Sequence, residues 1–265
     1  MKKNVSVIKL AARSSIYKLL IVLGLSFIAE CLLFERAWCL AESYDDILSL
    51  EYILEHSRIP IAAAVSFVIF TAFLCLPWLG IFGTKPRTTL NKLSVSAGRA
   101  AFWISIYNIC CYIIFWAVQL AALLLLCSLY LNSAGASNPA TQILLASWST
   151  GYFHSLLPLS DRLRLICTLL RAVMTGIAVT NMIFAKSIKE PMMYLFSSIF
   201  IVQITCNTRP GVLFAETGYI AVTAVLSAAY IFTLIIFCKV KDEPAKKLFK
   251  KKTKPADAER RRLPA

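Results

Sequence analysis

Charge is scarce in this chain of 265 residues. Asp, Glu, Lys and Arg make up 16% of it, against 58% hydrophobic residues and a mean hydropathy of +0.70. A soluble domain carries about 25% charged and about 45–50% apolar residues, so no single water-bounded core can hold this much apolar surface. Histidine is down to His56 and His154, which leaves no His-Glu-x-x-His pair and no His-rich metal cluster. The nine glycines include no phosphate-cradling loop. Gly80-Ile-Phe-Gly83-Thr84-Lys85 has the residue types but not the spacing. The nine cysteines are odd in number and form no Cys-x-x-Cys pair, and only Cys39 lies clearly outside the apolar stretches. In such stretches cysteine behaves as a small hydrophobe. No catalytic triad and no paired carboxylates are present. These absences exclude a disulfide scaffold, an intramembrane metalloprotease and a self-contained ATPase; the chain reads as a non-enzyme without metal or cofactor.

What remains is apolar length. A helix needs roughly 20 mainly apolar residues to cross about 30 Å of hydrocarbon. Residues 61–82, 101–131 and 212–238 meet this directly. Residues 15–34 do so despite Lys18 and Glu30, and 163–185 despite Arg171. Residues 191–207 are barely long enough; Pro191 suits a helix start, and Pro210-Gly211 a tight turn back. The expected fold class is all-α, a six-span transmembrane domain over 1–238 followed by a basic tail, 239–265.

The basic residues test this count independently, because Lys and Arg gather in short cytoplasmic loops. The N-terminus, the loop after the second span, the loop after the fourth and the tail together hold 22 of the 28 basic residues. The opposite side holds Arg36, Arg58, Arg162, Arg164 and Arg209, and Arg171 lies within a span. Both termini are therefore expected in the cytoplasm, with the chain multi-pass in the plasma membrane. The first 18 residues, with Val5, Ile8, Ala12 and Ile16 at helical spacing, are expected along the inner membrane surface. A retained helix suits them better than a cleaved signal, since Glu30 and Arg36 precede any cleavage point. The Lys- and Arg-rich tail reads as a disordered anchor on anionic lipid, with no nucleic-acid role.

The first outer loop, 35–58, is acidic, and 46–55 has helical spacing. In the second outer loop, 142–159 is semi-apolar and is expected to dip into the membrane interface. A seventh crossing there would break the charge pattern.

Polar groups inside spans are costly and mark candidate sites. Arg164, Thr168, Arg171 and Thr175 form one stripe at i, i+4, i+7 and i+11. Asn108, Tyr112 and Gln119 share a face of the third span, and Glu30 matches Arg171 in depth. Two readings stand: these groups glue helices together, with Glu30 and Arg171 as partners, or they line a path for a polar or amphipathic substrate.

The inner loop 83–99 carries Arg87, Thr89, Leu90, Leu93, Ser94, Val95 and Ser96. This pattern resembles the loop between the second and third spans of ABC-transporter permeases of the second exporter type. The resemblance implies a segment resting on a separate ATP-binding subunit, a permease that pairs as a homo- or heterodimer in the lipid bilayer, and transport driven by that partner. Two features depart from the family pattern: the outer link at 208–211 is short, and the longest outer loops follow the first and third spans. The alternative expectation is a non-transporting sensor or accessory protein acting through its acidic outer loop.

Overall fold

The computed structural model describes residues 2–42, 50–79, 90, 95–133, 138–157, 162–184, 221 and 223–235. Among these, all regular structure is helical: α1 (Lys2–Glu42), α2 (Leu50–His56), α3 (Ile59–Leu79), α4 (Ala97–Ser133), α5 (Pro139–Ser149), α6 (Gly151–Leu156) and α7 (Arg162–Phe184), then α8 (Thr223–Ile235). Helices α1, α3, α4 and α7 are long and apolar enough to cross a membrane. They correspond to the first four expected spans. α8 covers part of the sixth, whereas the fifth span, the tail, and Arg87, Thr89, Leu93 and Ser94 lie outside the described residues.

The surface of these helices is inverted relative to a water-soluble protein. Leu20, Ile21, Leu25, Ile28 and Leu32 on α1 are more than half exposed, while Ser26, Glu30, Asn108 and Gln119 are buried to within 2%. Apolar side chains outside and polar ones inside are what a lipid solvent selects. The architecture suits a multi-pass membrane protein.

One expectation is corrected. The first 18 residues do not form a separate surface helix; they are the opening turns of α1, which runs unbroken for 41 residues, about 61 Å at 1.5 Å per residue. The reason is a continuous buried row, from Val7 and Ala11 through Leu19 and Ser26 to Phe34 and Ala41, at steps of three and four. That row seats α1 against α3 and α4 along its length. The apolar positions Val5 and Ile16, by contrast, point outward. Pro77 does not break α3, which continues to Leu79.

α4 is the hub. It packs most extensively on α7 and also on α1, whereas α3 and α7 meet only sparsely. Gly176 of α7 permits the closest approach: a Cβ there would sit 2.7 Å from the Ile109 backbone nitrogen. One turn on, Asn108 donates to Thr180 Oγ1 at 3.0 Å, and Thr180 donates to the Gly176 carbonyl at 2.9 Å. On the α3 side, Phe67, Phe70, Tyr112 and Phe115 form an aromatic cluster with centroids 5.0–6.1 Å apart. α8 rests on α7 through Tyr230 and an Asn181–Thr233 hydrogen bond of 3.2 Å.

At the end where α1 finishes and α3 begins, the connecting segments fold into a cap. α2 buries Leu50, Ile53 and Leu54. It joins α3 through Ser57 and Arg58, the latter at φ 54°, the left-handed region that costs a side chain about 1–2 kcal/mol. α5 and α6, of 11 and 6 residues, are too short to cross, and they meet at Thr150, whose extended backbone (φ −90°, ψ 120°) breaks the helix. Phe153, 1% exposed, anchors α6 into the cap.

Candidate functional site

α6 descends far enough to form one wall of a cavity of about 120 Å³ inside the helix bundle. α3 contributes Ala63, Ala64 and Phe67, and α4 contributes Tyr112, Phe115, Trp116 and Gln119. Tyr152 and Ser155 of α6, and Thr168, Arg171 and Thr175 of α7, add a polar arc to the lining.

The arc is assembled by helix-end chemistry. A short helix leaves its last carbonyls without intrahelical donors. Two of those of α6 are met from outside. Trp116 Nε1 donates to the Leu156 carbonyl at 3.1 Å, and Arg171 Nη2 to that of Ser155 at 3.3 Å. A cation at a helix C-terminus also complements its dipole. The same Arg171 nitrogen donates to Thr168 Oγ1 at 2.6 Å, which in turn donates to the Arg164 carbonyl at 3.0 Å. Thr175 closes the row by donating to the Arg171 carbonyl.

A second chain of bonds leads away from the cavity into the protein. Tyr152 OH donates to Gln119 Oε1 at 3.2 Å. Gln119 Nε2 donates to Ser26 Oγ at 2.8 Å, and Ser26 donates to Glu30 Oε1 at 2.9 Å. Every donor points towards the Glu30 carboxylate, which is 1% exposed. Gln119 thus spans the gap between the cavity and α1.

The expected polar residues therefore take several roles. Thr168, Arg171, Thr175, Tyr112 and Gln119 do share one cavity. Arg164 is buried on the same helix but off the cavity wall. Asn108 serves the α4–α7 crossing. Tyr112, besides lining the cavity, bonds Thr71 Oγ1 on α3 at 2.7 Å. The suggested Glu30–Arg171 partnership is not formed: Glu30 is held through Ser26 on α1, and Arg171 faces α6. Residue counting supplied a common depth along the helices and nothing about which neighbour each group meets.

Sequence reasoning missed Tyr152, Ser155 and Trp116, although the semi-apolar stretch 142–159 held the first two. It also missed Gly176 and Thr180, which follow the small-x-x-x-small spacing of close helix contacts. Of the inner-loop residues, Leu90 is 6% exposed and belongs to the buried cluster that includes Val7, Ala11, Trp78 and Ala101; Val95 packs against that cluster. Ser96 accepts the first helical bond of α4 from Ala100, at 3.0 Å. Comparison with family models, with curated proteins and with solved structures finds no match to this chain.

Proposed function

We propose that this chain is the permease subunit of an ABC-type transporter, six-span in the plasma membrane with both termini cytoplasmic. It moves an amphipathic substrate with energy from a separate ATP-binding subunit, and pairs with a second permease in the bilayer. The observation that supports a transport role is the cavity among the long helices, lined by an arginine, five further hydroxyl or amide side chains (Gln119, Tyr152, Ser155, Thr168 and Thr175) and aromatic rings. Binding sites for small molecules have this composition: mostly apolar walls with a few placed polar groups. The partner ATPase is inferred from the inner loop alone. There Leu90 and Val95 join a buried cluster that also holds Val7 and Ala11 of α1 and Ala100 and Ala101 of α4, which gives a push at these two positions a packed route to both of the longest helices. Such a push drives transport only if the bundle has two arrangements with different ATPase contacts.

Mild-detergent purification of the full chain tests this. Stoichiometric recovery of an ATP-binding subunit with vanadate-sensitive turnover, lost on Leu93→Glu, supports the reading. Repeated recovery of the chain alone overturns it. Arg171→Gln that assembles but no longer transports, with Arg171→Lys retaining transport, assigns the cavity to the substrate path.

A further inference from the structure

Among the described residues Glu30 is the most deeply buried acidic or basic side chain, 1% exposed within the apolar run of α1. An ionisable group inside a span is a functional candidate by default. The bonds that lead to it all run one way: Tyr152 donates to Gln119, Gln119 to Ser26 and Ser26 to Glu30.

That order follows from the supply of donors. An ionised carboxylate only accepts, and a serine hydroxyl has a single proton to offer. Once the Ser26 hydroxyl points at Glu30, its oxygen can only accept from Gln119. The Gln119 amide nitrogen must then face Ser26, and its carbonyl oxygen must face Tyr152, which lines the cavity with it. The two ends of a glutamine amide are alike in shape and opposite in hydrogen-bonding sense, so the charge on Glu30 selects between them.

The helices packed on α1 place few other charges near this chain. α3 has no acidic or basic residue, and the one on α4 is Arg99, about 30 Å from Gln119. α4 also carries Tyr112, Cys127 and Tyr130, and α2 carries Glu51, Glu55 and His56 in the cap. On α1 itself the neighbours are Cys31, Glu35 and Arg36, with Lys18 more than three turns back. Tyr152 and Arg171 stand at the cavity.

We propose that Glu30 is a proton-binding site that determines which end of the Gln119 amide the cavity presents. When a proton from water binds the carboxylate, the acid O–H donates to Ser26, and the Ser26 hydroxyl turns to donate to the Gln119 carbonyl. The amide rotates by half a turn, and its nitrogen donates to the Tyr152 hydroxyl. All three bonds reverse, one proton is added at Glu30, and none crosses the amide. A wall that offered a carbonyl oxygen then offers an N–H, which suits a ligand with a carbonyl, ether or carboxylate oxygen. Such a ligand and the proton favour each other's binding, because linkage is reciprocal. This goes beyond the transport reading and needs no ATPase.

Dipolar-recoupling NMR on the full chain in phosphatidylcholine liposomes tests it. The glutamine side chains carry heavy nitrogen, and glutamate, serine or tyrosine carries heavy carbon. Gln142→Asn and Gln203→Asn remove the chain's other two glutamines, leaving one labelled amide. The Glu30 carboxyl signal is the one lost in Glu30→Gln. With Glu30 ionised, the amide nitrogen should couple to a serine carbon. On acidification that coupling should be largely lost and coupling to a tyrosine carbon should rise, with the same midpoint as the Glu30 carboxyl shift. Glu30→Gln, neutral yet able to donate to Ser26, should hold the tyrosine-facing arrangement at every pH. A Glu30 carboxyl that keeps one state wherever the chain is folded overturns the proton site. A carboxyl that titrates while the amide keeps its serine contact overturns the relay. The titration leaves Glu30, Ser26, Gln119 and Tyr152 unaltered, so neither reading depends on a core variant folding. Recovery or loss of an ATPase bears on neither outcome and speaks to the transport reading alone.

Discussion

Replacing Gly176 by alanine should loosen the α4–α7 crossing, and the structure sets the size of the effect. The added Cβ would stand 2.6 Å from Ile109 Cγ1, 2.7 Å from its backbone nitrogen and 2.9 Å from its Cα. A rotamer change can move the first atom but not the other two. To restore ordinary contact near 3.4 Å, α4 must retreat by about 0.7 Å. The Asn108–Thr180 bond, now 3.0 Å, then stretches to about 3.7 Å, beyond hydrogen-bonding range. Overpacking costs about 1–3 kcal/mol, and the lost interhelical bond about 0.6 kcal/mol. Alanine's better helix propensity returns up to about 1 kcal/mol. A net loss of about 1–3 kcal/mol is expected. Gly24→Ala is the matched control, because nothing lies within 4 Å of the added methyl; it should be neutral or slightly stabilising. Unfolding of both variants by dodecyl sulfate in mixed micelles, followed by tryptophan fluorescence, measures the difference. If Gly176→Ala unfolds at the same denaturant fraction as Gly24→Ala, the close-contact reasoning is wrong.

Ser26 and Gln119 should couple by about 0.6–1.7 kcal/mol in a double-mutant cycle of Ser26→Ala and Gln119→Leu; strict additivity would break the chain of bonds drawn from Tyr152 to Glu30. Arg58→Gly should raise stability by about 1 kcal/mol by relieving the left-handed backbone between α2 and α3, read as a higher melting temperature in detergent. Tyr112→Phe should cost at most about 1 kcal/mol, because Thr71 keeps its bond to the Phe67 carbonyl; a larger loss of thermal stability would mean that the Tyr112 hydroxyl carries more than this bond.

The four long helices were legible because hydropathy acts along one dimension, and the chain is ordered in that dimension. The direction each polar group faces was not. Asn108, Tyr112 and Gln119 read as one stripe, yet they reach α7, α3 and α1 respectively. A helix at the centre of a bundle spends a single broad face on several neighbours, and no spacing rule separates them. Glu30 and Arg171 failed as partners for the same reason. The opening turns of α1 were misread because their apolar residues support two faces. Val5, Ile8, Ala12 and Ile16 suggested a membrane surface, while Val7, Ala11 and Ser15 fill the protein's own core. Arg171 was recognisable as costly within a span, but one of its acceptors, the Ser155 carbonyl near the end of α6, belongs to a segment whose fold depends on tertiary packing.

The length of α1 has a mechanical consequence. It is roughly twice as long as the hydrocarbon is thick, and its buried row runs from one cluster near Val7 to another near Ala41. A stiff rod transmits angle rather than distance: pivoting it by about 5° around its middle swings each end, about 30 Å away, through about 2.6 Å in opposite directions. Gln119 and Ser26 lie near its middle, where the displacement is smallest. Any device built on α1 therefore moves least at the hydrogen-bonded fulcrum and most at its two extremes.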